Sequence, residues 1–205
     1  MTILRAVTPA DDIAEVLIDE QAIAAKVRAL GAAIADDYRG RDLVLVSILK
    51  GALPFLADLM RQMPIPLALD FLEVSSYGEA TESSGDVRIL KDLAKPIAGR
   101  DVVVVEDILD TGHTLAYVIE HLHSKQPASV RLCTLLDKPA RRIVPIQIDY
   151  RGFEIPDKFV VGYGLDYAER YRNLPFIGVL NESRLERGSN RVGRGWTSRT
   201  ASKLR

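Results

Sequence analysis

Val102-Val103-Val104-Val105-Glu106-Asp107-Ile108-Leu109-Asp110-Thr111-Gly112-His113-Thr114 is the stretch that decides the architecture. Four consecutive valines suit a strand buried on both faces, the pattern of a parallel sheet. The apolar run gives way to two adjacent acids, then a third, and Thr-Gly-X-Thr opens a segment with helical spacing. Over residues 114–125, Leu115, Val118, Ile119 and Leu122 fall on one face. In open α/β sheets, ligands bind beyond the carboxyl ends of the strands. A loop running into a helix N-terminus presents unpaired amides and a positive dipole end, which suits a phosphate. Gly112 lets the backbone approach closely, and Thr111 and Thr114 can add hydroxyl donors. Carboxylates repel phosphate, so Glu106, Asp107 and Asp110 call for a ligand that also carries hydroxyls or a cation. Glu106 and Asp107 could accept hydrogen bonds from ribose hydroxyls, or hold water on magnesium.

The flanking sequence extends this pattern. Asp19 is placed to cap a helix whose Ile23, Val27, Leu30 and Ile34 recur at helical spacing up to Gly40. Leu43–Leu49 is a second short apolar strand, followed by Lys50-Gly51 and a helix predicted over 54–63 with proline in its first turn. Leu67, Leu69 and Phe71 alternate as in a strand, and 130–136, 146–150, 159–161 and 176–180 read as further strands. Strands alternating with helices predict an α/β fold with a mostly parallel twisted sheet flanked by helices. Residues 77–86 form a polar, glycine-bearing loop of a length typical of lids.

The chain has 205 residues, 47% hydrophobic and 27% charged, enough for one core. We expect a single domain with a small hood over 1–182. The segment 183–205 carries seven basic residues and reads as a flexible tail. Lys plus Arg total 27 against 28 Asp plus Glu. This balance gives no broad field for nucleic acid or membrane, so any anion site must be local. A single cysteine, Cys133, in an apolar run excludes an intrachain disulfide and reads as a buried thiol. No run reaches the roughly 20 apolar residues of a membrane helix. No leader is evident either, and the expected location is cytoplasmic. His121 and His123 stand two apart on their helix and make a poor metal pair.

The string from Glu106 to Thr114 resembles the phosphoribosyl pyrophosphate motif of type I phosphoribosyltransferases, in the form typical of hypoxanthine-guanine enzymes. The resemblance covers roughly residues 10–182, and four further segments match in order. Leu49-Lys50-Gly51 is similar to a family loop with an unusual cis peptide, whose lysine and amides contact pyrophosphate. Ser75-Ser76-Tyr77-Gly78 is similar to the start of the family's lid, which implies that Ser76 and Tyr77 close over the reacting centre. Leu135-Leu136-Asp137-Lys138-Pro139 implies that Lys138 donates to the 6-oxo group of the purine. Phe159-Val160-Val161-Gly162-Tyr163-Gly164-Leu165-Asp166, with Arg172 beyond it, completes the set. It implies stacking by Phe159, reading of the base edge at Val160, a contact from Asp166 to a second magnesium and pyrophosphate binding by Arg172.

The resemblance further implies Asp110 as general base. Glu106, Asp107, Asp110, Thr111, Gly112, His113 and Thr114 would hold the 5-phosphate and ribose, and Lys50, Gly51 and Arg172 the pyrophosphate. Lys138, Phe159, Val160 and Asp166 would surround the purine, and Glu106, Asp107 and Asp166 would serve magnesium, the expected cofactor. The implied partners are the small molecules phosphoribosyl pyrophosphate and a 6-oxopurine, with a homodimer or homotetramer as the assembly. Two rivals share the fold: a xanthine-preferring enzyme, and an RNA-binding regulator that senses phosphoribosyl pyrophosphate. Retention of both Lys138 and Lys50-Gly51 favours the enzyme.

Overall fold

A computed structural model describes residues 12–76 and 87–181. From the amino end the elements are β1 (Ile13–Ile18), α1 (Glu20–Asp37), β2 (Leu43–Leu49), α2 (Leu53–Arg61), β3 (Ala68–Ser76) and β4 (Val87–Lys91). They continue as β5 (Asp101–Leu109), α3 (His113–His123), β6 (Ser129–Asp137), a 3-10 turn at Pro139–Arg141, β7 (Tyr150–Glu154), β8 (Val160–Val161) and β9 (Ile177–Leu180). The main sheet runs β4-β3-β2-β5-β6-β7, and β1-β9-β8 form a second, three-stranded sheet. Within the main sheet β3, β2, β5, β6 and β7 pair in parallel, and β4 closes the edge antiparallel to β3. The expected mostly parallel sheet with flanking helices is what forms.

The valines sit near the centre of this sheet, and each is fully buried. Val103 and Val105 pack with Ile23, Val27, Ile34, Phe55 and Leu59 of α1 and α2. Val102 and Val104 pack on the opposite face with Leu115, Val118 and Leu122 of α3. Consecutive strand residues project to opposite faces, so an all-valine run feeds two apolar layers at once. Asp19 caps α1, its Oδ1 accepting the Ala22 amide at 2.8 Å.

Three expected boundaries move. The central strand does not stop at Val105 but runs through Glu106 and Asp107 to Leu109. Its ladder with β6 continues through Glu106↔Thr134 and Leu109↔Asp137, and backbone pairing outweighs side-chain polarity there. The strand expected at 146–150 forms instead at Tyr150–Glu154, while Ile146 and Ile148 pack from a loop onto the α3-side core. Phe159 lies just before its short strand rather than in it. Residues 77–86, with the expected lid and Tyr77, and residues 183–205, the expected tail, lie outside the described residues. No described helix is long and apolar enough to cross a membrane.

Candidate active site

Beyond the carboxyl ends of β5 and β6 the chain forms a cleft of about 390 Å³, lined in part by Asp107, Asp110, Lys138, Arg141, Phe159, Val160, Asp166 and Arg172. Ligand sites commonly occupy about 300–1,000 Å³. Seven of the sequence-derived residues therefore meet in one concavity, drawn from three separate stretches of chain.

The expected phosphate cradle lies where β5 hands over to α3. Gly112 caps that helix with φ +92°, a left-handed conformation that favours glycine. A Cβ there would also come 2.7 Å from the Val144 carbonyl oxygen. The Thr111 carbonyl accepts the amides of Ile143 and Val144, both at 3.0 Å. No side chain caps α3, and among the described residues no acceptor takes the amides of Thr111, Gly112, His113 or Thr114. Four free donors at a helix N-terminus are an anion seat. His113 starts α3 and is exposed.

The acids do not act as one group. Asp107 faces the cleft, with Oδ1 accepting the Ile108 amide at 2.8 Å. Burial pushes its carboxyl up to about 6, against the lowering effects of that amide and of Arg172. Glu106 does not line the cleft. Its Oε2 is enclosed without a hydrogen-bond partner, and burial, followed by the neighbouring Asp107 charge, raises its pKa well above the usual range. Asp110 lines the cleft with Oδ1 3.3 Å from Arg141 Nε. Among the described residues no three acids, imidazoles or thiols stand close enough to hold one metal ion, and the resemblance implies a second magnesium for Asp166 rather than one shared cage. Magnesium does not need such a cage, because it keeps several waters and usually takes one or two carboxylates plus substrate oxygens. Asp107 and Asp166, both lining the cleft, fit that role; Glu106, which is off the cleft with its Oε2 enclosed, fits it less well.

The loop after β2 begins with a cis peptide between Leu49 and Lys50, as the resemblance implied. Gly51 is pressed against Asp107: a Cβ would lie 1.9 Å from the Asp107 Oδ2. From the other side, a Cβ on Gly164 would lie 1.9 Å from the Gly51 carbonyl oxygen. Lys50 reaches out to Glu169, Nζ to Oε1 3.4 Å. Arg172 donates to the Gly164 carbonyl at 2.8 Å and pairs with Asp166 at 2.8 Å.

On the side expected to take the purine, Lys138 is buried, an unusual place for a lysine without partners. Its Nζ donates to the Lys158 carbonyl at 2.8 Å and lies 3.7 Å from Asp157. Phe159 is 40% exposed and meets Tyr167 edge to face at 5.7 Å, leaving a ring face available for stacking. Val160 is buried at the wall.

Three residues here were not anticipated. Arg142 donates to the Asp110 carbonyl (2.9 Å), the Leu109 carbonyl (3.0 Å) and the buried Asp137 carboxylate (2.5 Å), stapling the strand end that carries Asp110. Arg141 pairs with Asp110, and Glu169 joins Lys50 to Arg172. None belongs to a recognisable motif, and their contacts depend on long-range folding. The double arginine following Lys138-Pro139-Ala140 was the available signal.

Comparison with known proteins agrees with this geometry. Residues 14–168 match the model of the phosphoribosyl transferase domain. The hypoxanthine-guanine phosphoribosyltransferase of Bacillus subtilis is 52% identical over 169 residues, covering 82% of this chain and 94% of that one. The bifunctional protein TilS/HprT of Listeria monocytogenes is 53% identical over 170 residues, 83% of this chain, but the match spans only 26% of that longer relative. A crystal structure of a hypoxanthine phosphoribosyltransferase from Staphylococcus aureus superposes with a TM-score of 0.84 at 47% identity, covering 87% of this chain and 97% of that one. Fold and cradle together define a phosphoribosyltransferase. The chain belongs to that family, and within it to the hypoxanthine-guanine branch.

Proposed function

We propose that this chain joins hypoxanthine or guanine to phosphoribosyl pyrophosphate, releasing pyrophosphate and the purine nucleotide, in purine salvage. The observation that carries this is one juxtaposition. Free amides at the α3 N-terminus lead directly from Asp110, which shares its cleft with Lys138 and Phe159. The 5-phosphate would rest on the amides of residues 111–114, and Asp107, with Glu106 beneath it, would face the ribose. Lys50, the amide of Gly51 and Arg172 would hold the pyrophosphate.

The purine would stack on Phe159, with Val160 at its edge and Lys138 donating to the 6-oxo group. An ammonium there rejects adenine, which presents a donor amino group at that position. Asp110 would take the imidazole proton as the new bond to the anomeric carbon forms, and Arg141 would hold its carboxylate in place. Magnesium, when bound through Asp107 and Asp166, would neutralise charge growing on the departing pyrophosphate. A lid opening with Ser76 and Tyr77 would exclude water.

We further propose one domain over 1–182, a separate tail over 183–205, a cytoplasmic location and a homodimer or homotetramer, the last testable by light scattering. Retention of Lys138 in the cleft and of Lys50-Gly51 beside Asp107 disfavours the RNA-binding sensor. The deciding assay follows turnover spectrophotometrically with phosphoribosyl pyrophosphate, magnesium and each of hypoxanthine, guanine, xanthine and adenine. Turnover with the first two and none with adenine supports the reading. Preference for xanthine would move it to the neighbouring specificity, and no turnover with any base would overturn it.

A further inference from the structure

We infer that Glu169 is a built-in counter-anion, seated where the pyrophosphate must go and displaced by it, and that it thereby sets how tightly the leaving group is held. This rests on reading Lys50 and Arg172 as the pyrophosphate cations. The Glu169 carboxylate lies 3.4 Å from Lys50 Nζ and 3.5 Å from Arg172, so one anion already joins two cations that come from distant parts of the chain. A carboxylate and a diphosphate present the same chemistry to such a pair, namely anionic oxygens within hydrogen-bond reach of both.

The backbone around Glu169 supports a dedicated placement. Tyr167 and Arg170 bridge each other, closing a two-residue turn over Ala168 and Glu169. Both central residues have positive φ, 51° and 61°. That pairing is the mark of a turn for which Asn-Gly is preferred, and other residues adopt it at an energetic cost. The Asp166 carboxylate holds the turn by accepting the Glu169 amide at 2.8 Å. The strained turn therefore carries a side chain that can bridge Lys50 and Arg172, which glycine could not.

The pair is also suited to release. Lys50 and Glu169 side chains are 63% and 67% exposed, so their attraction is screened and individually weak. A more highly charged diphosphate can displace the carboxylate. Before pyrophosphate binds, the same carboxylate offsets the repulsion between Lys50 and Arg172.

Glu169→Gln keeps the shape and exposure of the side chain and removes its charge. Isothermal titration of the purified chain with magnesium pyrophosphate should show roughly two- to fivefold tighter binding, the scale of losing one or two exposed pairs. KM for phosphoribosyl pyrophosphate should fall in parallel while KM for hypoxanthine holds. The gain should shrink as salt rises, which a merely structural role would not produce. Lys50→Ala, titrated alongside, separates the two claims. If Lys50→Ala leaves pyrophosphate affinity intact, the underlying reading of Lys50 fails. If Lys50→Ala weakens binding and Glu169→Gln weakens it too or leaves it unchanged, the counter-anion role is wrong.

Discussion

Arg142→Gln is expected to destabilise the fold by about 3–4 kcal/mol and to slow catalysis without touching substrate. Arg142 is 17% exposed and Asp137 only 3% at the side chain, so their 2.5 Å contact is an interior ion pair. Removing one partner of such a pair costs roughly 3–5 kcal/mol, because the other charge is left in a poorly solvating place. Arg151 still reaches Asp137 Oδ2 at 3.1 Å, but it is half exposed and compensates only in part. The two carbonyls differ. Leu109 O also accepts the Lys138 amide at 3.0 Å and keeps a partner, whereas Asp110 O loses its bond to Arg142 Nε, worth about 1 kcal/mol. Typical domains have about 5–15 kcal/mol in hand, so the variant should fold.

The assay is a double-mutant cycle with Asp137→Asn, read by urea unfolding and by steady-state kinetics. Adding Asp137→Asn to Arg142→Gln removes the stranded carboxylate, so the double variant should fall short of additivity by about 2 kcal/mol. kcat should drop at least tenfold in Arg142→Gln, because the carbonyl it releases belongs to Asp110 itself. Strict additivity, or a loss in stability below about 1 kcal/mol, would refute the staple.

Asp110→Asn should lose about 10²–10⁴-fold in kcat with little change in purine affinity, the signature of an acid–base group; equal losses in both would leave it a binding role only. Lys138→Gln removes a charged donor worth about 1.5–3 kcal/mol, so kcat/KM for hypoxanthine and guanine should fall roughly 10–100-fold while discrimination against adenine narrows. Asp107→Asn should stabilise the protein in magnesium-free buffer. The Asp107 pKa is raised to about 6 from 3.8, so its ionised form costs stability that is absent below about pH 4 and fully felt above about pH 6. Arg172 and Asp166 act on it in opposite directions. The advantage of the variant should grow across that window to at most about 3 kcal/mol, measured by urea unfolding at each pH, and a flat difference would count against the shift.

How much was legible follows from how far each signal had to travel along the chain. The valine run declared its strand because parallel strands buried on both faces have few alternatives to apolar β-branched residues. β7 was misplaced because Ile146 and Ile148, alternating with Gln147, can pack half-buried from a loop, whereas Tyr150–Glu154 owes its strand to pairing with β6. Gly152 helps that pairing: a Cβ there would lie 2.2 Å from the Leu135 carbonyl oxygen. β1 went unread because its partner is β9, at the far end of the chain, where Ile13 faces Leu180. The edge strand β4 alternates half-buried and exposed positions over five residues and looks like loop. In the site, contiguous motifs placed Asp110, Lys138 and Phe159. Arg142 and Glu169, which act through folded contacts, had no local pattern to betray them.

On the proposed reaction amides serve one end of the substrate and side-chain cations the other, and the distribution of charge suggests why. Each cation lining the site already has an internal anion: Lys50 and Arg172 share Glu169, while Lys138 and Arg141 lie near Asp157. Such pairs can be exchanged for ligand groups, and exchange is reversible because the internal partner returns. The amides of residues 111–114 are different, since a fixed peptide dipole has no mobile counter-charge and no conformational freedom to lose. On the proposed reaction, the 5-phosphate stays on the sugar from substrate to product, and it is held by the permanent donors. Pyrophosphate must leave, and it is held by cations that an internal carboxylate can reclaim. A cradle made of lysines at the 5-phosphate would need its own counter-anions before the ligand binds. With 27 basic against 28 acidic residues, the chain gains affinity for a polyanion through placement rather than net charge.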